Sequence, residues 1–120
     1  MGAIVVVTTV GTRDQANLIA EELVGRRLAG SVHIIPIQRS VYRWKEKVCD
    51  DSEYLLVVKT VASRYEEIET AIGALHDYEL PEILAFNVSR GEARFLKWIT
   101  QSTQPALEPQ DTDGAEDTNL

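Results

Sequence analysis

Residues 3–10 read AIVVVTTV and residues 53–61 read EYLLVVKTV. Both runs are β-branched and apolar at odd and even positions alike, where a half-exposed strand would alternate. A strand covered on both faces carries that pattern, so both are expected inside a sheet. In the first, Ile4 and Val6 oppose Val5 and Val7; in the second, Leu56 and Val58 oppose Leu55 and Val57.

Working outward, Gly11 ends the first run. Thr12-Arg13-Asp14-Gln15 has the form of a capping box, Thr12 accepting from the helix start and Gln15 reaching back. Ala16, Ile19, Ala20, Leu23 and Leu28 continue it as the apolar stripe of a helix, with Gly30 as a left-handed stop. Residues 31–44 (SVHIIPIQRSVYRW) read as a long strand. Pro36 cannot donate to a ladder, so this strand is an edge or carries a bulge there. The polar stretch 45–52 (KEKVCDDS) holds the hairpin turn.

After the second central run, Ser63-Arg64-Tyr65-Glu66 reads as another capping box. The helix behind it turns Tyr65, Ile68, Ile72 and Leu75 inward. Pro81 closes that unit, 82–89 (EILAFNVS) form a fourth strand, and a short helix spans about 92–100. The order predicts an α+β, ferredoxin-like β-α-β-β-α-β sandwich with an antiparallel sheet and a short C-terminal helix. Right-handed crossovers put both main helices on one face.

Two helices cover one face, yet the central runs are apolar on both. Burial stabilises by roughly 25 cal/mol per Å², and soluble monomers seldom expose large apolar patches. The second face is therefore expected to be covered by another copy of the chain; the alternative is that the short terminal helix and the tail cover it.

Composition narrows the function. The chain has 120 residues and a net charge of −7, five of those negative charges lying in 104–120, which hold no base. Residues 1–103 are then expected to be one nearly neutral domain, and 104–120 a disordered acidic tail. A neutral body with an acidic tail argues against nucleic-acid binding. Cys49 is the only cysteine, which excludes an intrachain disulfide and a thiolate-rich metal cage. Placed in an acidic turn, it is not expected to be reactive. The first residues lack the basic stretch of a signal peptide, and no run is long enough to cross a bilayer. A cytoplasmic protein is expected.

Some residues interrupt the core pattern. Tyr42 and Trp44 share one side of a strand and suit either the wall of a ligand cleft or an aromatic interface anchor. Arg39 and Lys59 either meet an anionic group or pair with carboxylates, for Lys59 Glu79 or Glu82. His76 ends a helix, where its cation gains from the dipole, or serves as a ligand. With Glu79 and Glu82 it could hold a divalent ion weakly. No activated nucleophile accompanies these groups, and His33 reads as structural.

In order, IVVVTTV (4–10), RSVYRWK (39–45), LLVVKT (55–60), HDYELPEI (76–83) and FLKWI (95–99) span most of the chain. This ordered set resembles the CutA divalent-cation tolerance family. The resemblance implies a ferredoxin-like subunit in a tight homotrimer like that of the PII signalling proteins, with lateral clefts between subunits and no established catalytic reaction. It also implies a link to copper and other divalent cations. In some members a cysteine near the end of the first strand and a histidine are proposed as copper ligands; Thr8 stands at that cysteine position here, Ser31 replaces a second cysteine usual in the family, and His76 remains. Thiolates favour Cu(I), so Cu²⁺ or another divalent cation is the secondary reading. The primary one is a non-enzymatic signalling protein whose inter-subunit cleft receives a small charged molecule near Arg39, Tyr42, Trp44, Lys59, His76, Tyr78, Glu79 and Glu82.

Overall fold

The computed structural model describes residues 2–105. Its elements are β1 (Ala3–Val10), α1 (Arg13–Gly25), β2 (Ser31–Trp44), β3 (Lys47–Val61), a 3-10 turn (Ala62–Arg64), α2 (Tyr65–Leu75), β4 (Leu84–Asn87) and α3 (Ala93–Ser102). The strands form one antiparallel sheet in the order β2-β3-β1-β4. This is the expected ferredoxin-like arrangement, and the two doubly apolar runs are its central strands. Most of the expected acidic tail, from residue 106 on, lies outside the described residues.

Register assigns each face. Val6 pairs with Val58 and Thr8 with Leu56, so these side chains point the same way. All four are fully buried, and Val6, Leu56 and Val58 join Ile19 and Leu23 of α1 and Ile68 and Ile72 of α2 in one core cluster. The other parity, Val5, Val7, Leu55 and Val57, forms the second face and is only half-buried.

Helix α1 begins as the sequence predicts, with Thr12 Oγ1 accepting from the Gln15 amide at 3.1 Å. The reciprocal half of the box is absent: Gln15 Oε1 is buried without a partner. The helix ends earlier than Gly30. Arg27 takes the left-handed conformation (φ 61°), while Leu28 donates to Leu23 and Arg27 to Val24. That bond pair is a Schellman motif, sealed by the buried Leu23 and Leu28. Gly30 serves close approach instead, since a Cβ there would sit 3.3 Å from the Trp98 ring. Ser63 caps nothing; a 3-10 turn leads into α2, whose N-cap Arg64 makes no side-chain cap.

The arginines at these two ends hold α3. Arg27 Nε donates to the Gln104 carbonyl at 2.7 Å and Arg64 Nε to that of Thr103 at 2.8 Å. Cations at the end of a helix also complement its dipole. Helix α3 packs against β3 and β1 and buries Ile99. It does not close the second face, where Ile35, Leu84 and Phe86 remain 45%, 53% and 54% exposed.

The β2–β3 hairpin departs most from the sequence reading. The turn is only Lys45-Glu46, both at positive φ, the two-residue form that matches strand twist. Cys49, Asp50 and Asp51 therefore lie in β3, with Cys49 opposite Tyr42. The irregularity is not at Pro36, which pairs with Tyr54 on this edge strand, but between Ile37 and Ser40. There Ile37 pairs with Glu53 and Ser40 with Asp51, so two residues of β2 oppose Ser52 alone. Ser52 Oγ ties the bulge by donating to the Gln38 carbonyl at 3.1 Å. An extra residue reverses side-chain parity. Even-numbered Ser40, Tyr42 and Trp44 thus continue the face of odd-numbered Ile35 and Ile37.

Candidate functional site

That reversal builds a cleft of about 670 Å³ on the second face of the sheet. Its floor comes from Thr9 of β1, Glu53 and Leu55 of β3, and Ile37 of β2. Ser40, Val41, Tyr42 and Trp44 form the hairpin wall, and the segment from Tyr78 to Glu82, after α2, forms the other.

His76 fixes that segment. It caps α2, places Nε2 2.7 Å from the Thr9 carbonyl, and accepts the Tyr78 amide on Nδ1 at 3.1 Å. These partners set the tautomer: Nε2 carries the proton and Nδ1 the lone pair. Tyr78 then lies over the end of β1, where Gly11 leaves it room; a Cβ on Gly11 would come within 3.1 Å of the phenol oxygen. The Tyr78 hydroxyl donates to Glu53 Oε2 at 2.7 Å.

Glu53 is 7% exposed and forms no ion pair among the described residues. A buried carboxylate without a cation is costly, and the Tyr78 bond offsets part of that cost. Burial, with the Glu53 bond next, raises the Tyr78 pKa well above the tyrosine range. On the opposite wall the Tyr42 hydroxyl donates to Asp51, and that bond chiefly raises its pKa to about 12. Both phenols are neutral donors at pH 7. At the rim, Lys45 Nζ lies 3.6 Å from Glu79 Oε1 and 5.5 Å from the Trp44 ring centroid.

Five of the residues singled out from sequence therefore converge: Tyr42, Trp44, Tyr78, Glu79 and Glu82 line the cleft. His76 stands behind it as a support. Arg39 is turned away and holds Asp50 across the hairpin at 2.9 Å. Lys59 lies six residues beyond Glu53 on the same face, roughly 20 Å along β3, opposite Val5 and Ser31. Its expected pairing with Glu79 or Glu82 is not made; the lysine on Glu79 is Lys45. His33, read as structural, is exposed on the second face opposite Val57. The sequence reading missed Glu53, whose only signal is its period-two register with Leu55 and Val57.

The donors near His76 do not fit a metal ion. Both ring nitrogens are spent on backbone groups, and no three His, Cys, Asp or Glu side chains are grouped to hold one among the described residues.

Residues 4–102 match the family model described as CutA1 divalent ion tolerance protein. The chain belongs to this family. A divalent-cation tolerance protein CutA of Thermus thermophilus is 39% identical over 99 residues, covering 82% of this chain and 96% of that protein. The chloroplastic CutA of Arabidopsis thaliana is 38% identical over 102 residues, covering 85% of this chain but 56% of its own length. The solved Thermus CutA1 structure superposes with a TM-score of 0.82 at 38% identity, covering 85% of this chain and 99% of that one. CutA1 from Oryza sativa gives 0.84 at 33% identity, covering 88% and 97%. Among the described residues of this CutA-family chain, no helix is long and apolar enough to cross a membrane.

Proposed function

We propose that this chain is a non-enzymatic, PII-like protein of the cytosol that assembles as a homotrimer. It binds a small charged molecule in clefts between subunits and so serves tolerance of divalent cations. One observation carries the reading: the cleft opens on the sheet face that leaves Ile35, Leu84 and Phe86 exposed. An apolar face of that kind calls for a partner, and sister subunits covering it would turn the cleft into an inter-subunit pocket. Arg39, turned onto Asp50, and Lys59, roughly 20 Å along β3, stand outside this lining. Non-enzymatic binding agrees with the lining, which pairs no nucleophile with a free base: the nearby His76 has both nitrogens engaged. Light scattering at micromolar concentration should give three times the 13.4 kDa chain mass. A stable single-chain species would overturn both the assembly and its pockets.

A second reading, divalent metal binding, is favoured by the family description and by the relatives' names. Calorimetry with Cu²⁺ and Zn²⁺ separates it from the first. Stoichiometric binding lost on His76→Ala would support a metal; absent binding, or binding indifferent to that change, would count against it.

A further inference from the structure

The cleft has a one-sided chemistry. Glu53, Glu79 and Glu82 line it, with Tyr42, Trp44 and Tyr78, and among the described residues no lysine or arginine does. The deepest carboxylate, Glu53, is more than nine-tenths buried, with a tyrosine hydroxyl on one oxygen and no ion-paired cation among the described residues. Its negative charge is stabilised most by a positive group delivered into the cleft. At the rim the protein supplies such a group itself, the Lys45 ammonium between Glu79 and the face of Trp44, within the distance at which ring and cation attract. Lys45 is held there from a backbone conformation that side chains rarely adopt (φ 52°).

Resting on the reading of this cleft as a ligand site, we infer that its ligand is a small organic cation. The ammonium of that ligand meets Glu53, and its flat apolar body lies among the three aromatic rings. Lys45 is a tethered competitor that the ligand displaces from Trp44 and Glu79. An anion is disfavoured by three carboxylates with no base among the lining residues. A bare metal ion is disfavoured because these carboxylates do not group as ligands.

The test is calorimetry on the full chain at low ionic strength with three molecules that share a phenylethyl body: 2-phenylethylamine, 3-phenylpropionate and 2-phenylethanol. The amine should bind best. Glu53→Gln keeps an acceptor for Tyr78 but removes the charge, and should weaken amine binding by about 10- to 100-fold while leaving the alcohol little changed. Circular dichroism and light scattering establish that this variant is folded and assembled. Lys45→Asn, which tolerates positive φ, should tighten amine binding by about 2- to 5-fold. Preference for the carboxylate or the alcohol, or amine binding indifferent to Glu53→Gln, would overturn the cation and leave the cleft standing as a ligand site. Failure of all three molecules to bind the wild type and Lys45→Asn would overturn both.

Discussion

Replacing Tyr78 with Phe removes one hydroxyl and leaves Glu53 buried with nothing bonded to it. The native bond is 2.7 Å long and joins a neutral donor to a carboxylate that is 7% exposed. Hydrogen bonds to charged groups contribute about 1.5–3 kcal/mol. Tyr78 is only half-buried, so water replaces part of what is lost and the lower half of that range applies. Tyr78→Phe should then destabilise by about 2 kcal/mol, or roughly 8–16 °C in Tm for a domain of this size. Urea denaturation at fixed protein concentration is the assay, because assembly makes apparent stability depend on concentration. The midpoint should fall with its slope unchanged. In a Glu53→Gln background the same change should cost only about 1 kcal/mol, since the bond lost is then neutral. The difference between backgrounds measures the charge. A loss below about 0.5 kcal/mol, or equal losses in the two backgrounds, would show that Tyr78 does not support a charged Glu53.

The same bond sets an alkaline limit. A phenol whose folded pKa is raised contributes stability in full below its unfolded pKa near 10, and that contribution disappears as pH rises through the folded value. Wild type should therefore lose stability above about pH 10 more steeply than Tyr78→Phe; parallel curves by circular dichroism would refute this. Leu56, fully buried in the main core cluster, should cost about 2–5 kcal/mol on truncation to Ala, read from the same urea curves. Val57→Asp puts a carboxylate on the second sheet face and should give monomers or insoluble chain. A monodisperse trimer of that variant by light scattering would contradict the proposed contact.

The central strands were legible because a doubly apolar run has few explanations: β1 spans AIVVVTTV, and β3 ends with EYLLVVKTV although it begins six residues earlier, at Lys47. Thr12 announced the first helix through a local bond. What escaped depends on partners distant in sequence. Arg27 stands where a C-terminal stop usually has glycine, and its side chain earns the place by reaching α3, which no local pattern shows. Lys45-Glu46 lacks the Asn-Gly signature of its turn, so the polar run around it looked like a longer loop and hid the first residues of β3. Of the candidate site, Tyr42 and Trp44 of the hairpin and Tyr78, Glu79 and Glu82 of the 76–83 segment were legible as a set. Arg39 and Lys59 were not distinguishable from them by type; only register separates a cation near the cleft from one 20 Å away by the rise of a strand, about 3.4 Å per residue.

Register also makes the bulge the decisive feature of the site. Inserting one alanine between Ser52 and Glu53 would give Gln38 and Arg39 a partner each and remove the extra step between Ile37 and Ser40. If Ile37 stays opposite Glu53 and Val41 to Trp44 keep their partners in β3, the hairpin must turn over relative to the sheet, carrying Tyr42 and Trp44 off the second face. Loss of the exposed Arg39–Asp50 ion pair would account for at most about 1 kcal/mol, and Arg39→Ala controls for it because it keeps the bulge. In a Trp98→Phe background Trp44 is the only indole. Its emission should shift to the red and its quenching by acrylamide rise in the insertion variant, while Arg39→Ala stays like its parent. Unchanged emission and quenching in the insertion variant would mean that the cleft does not depend on the parity reversal, and the account of how this sheet face acquires its aromatic wall would be wrong.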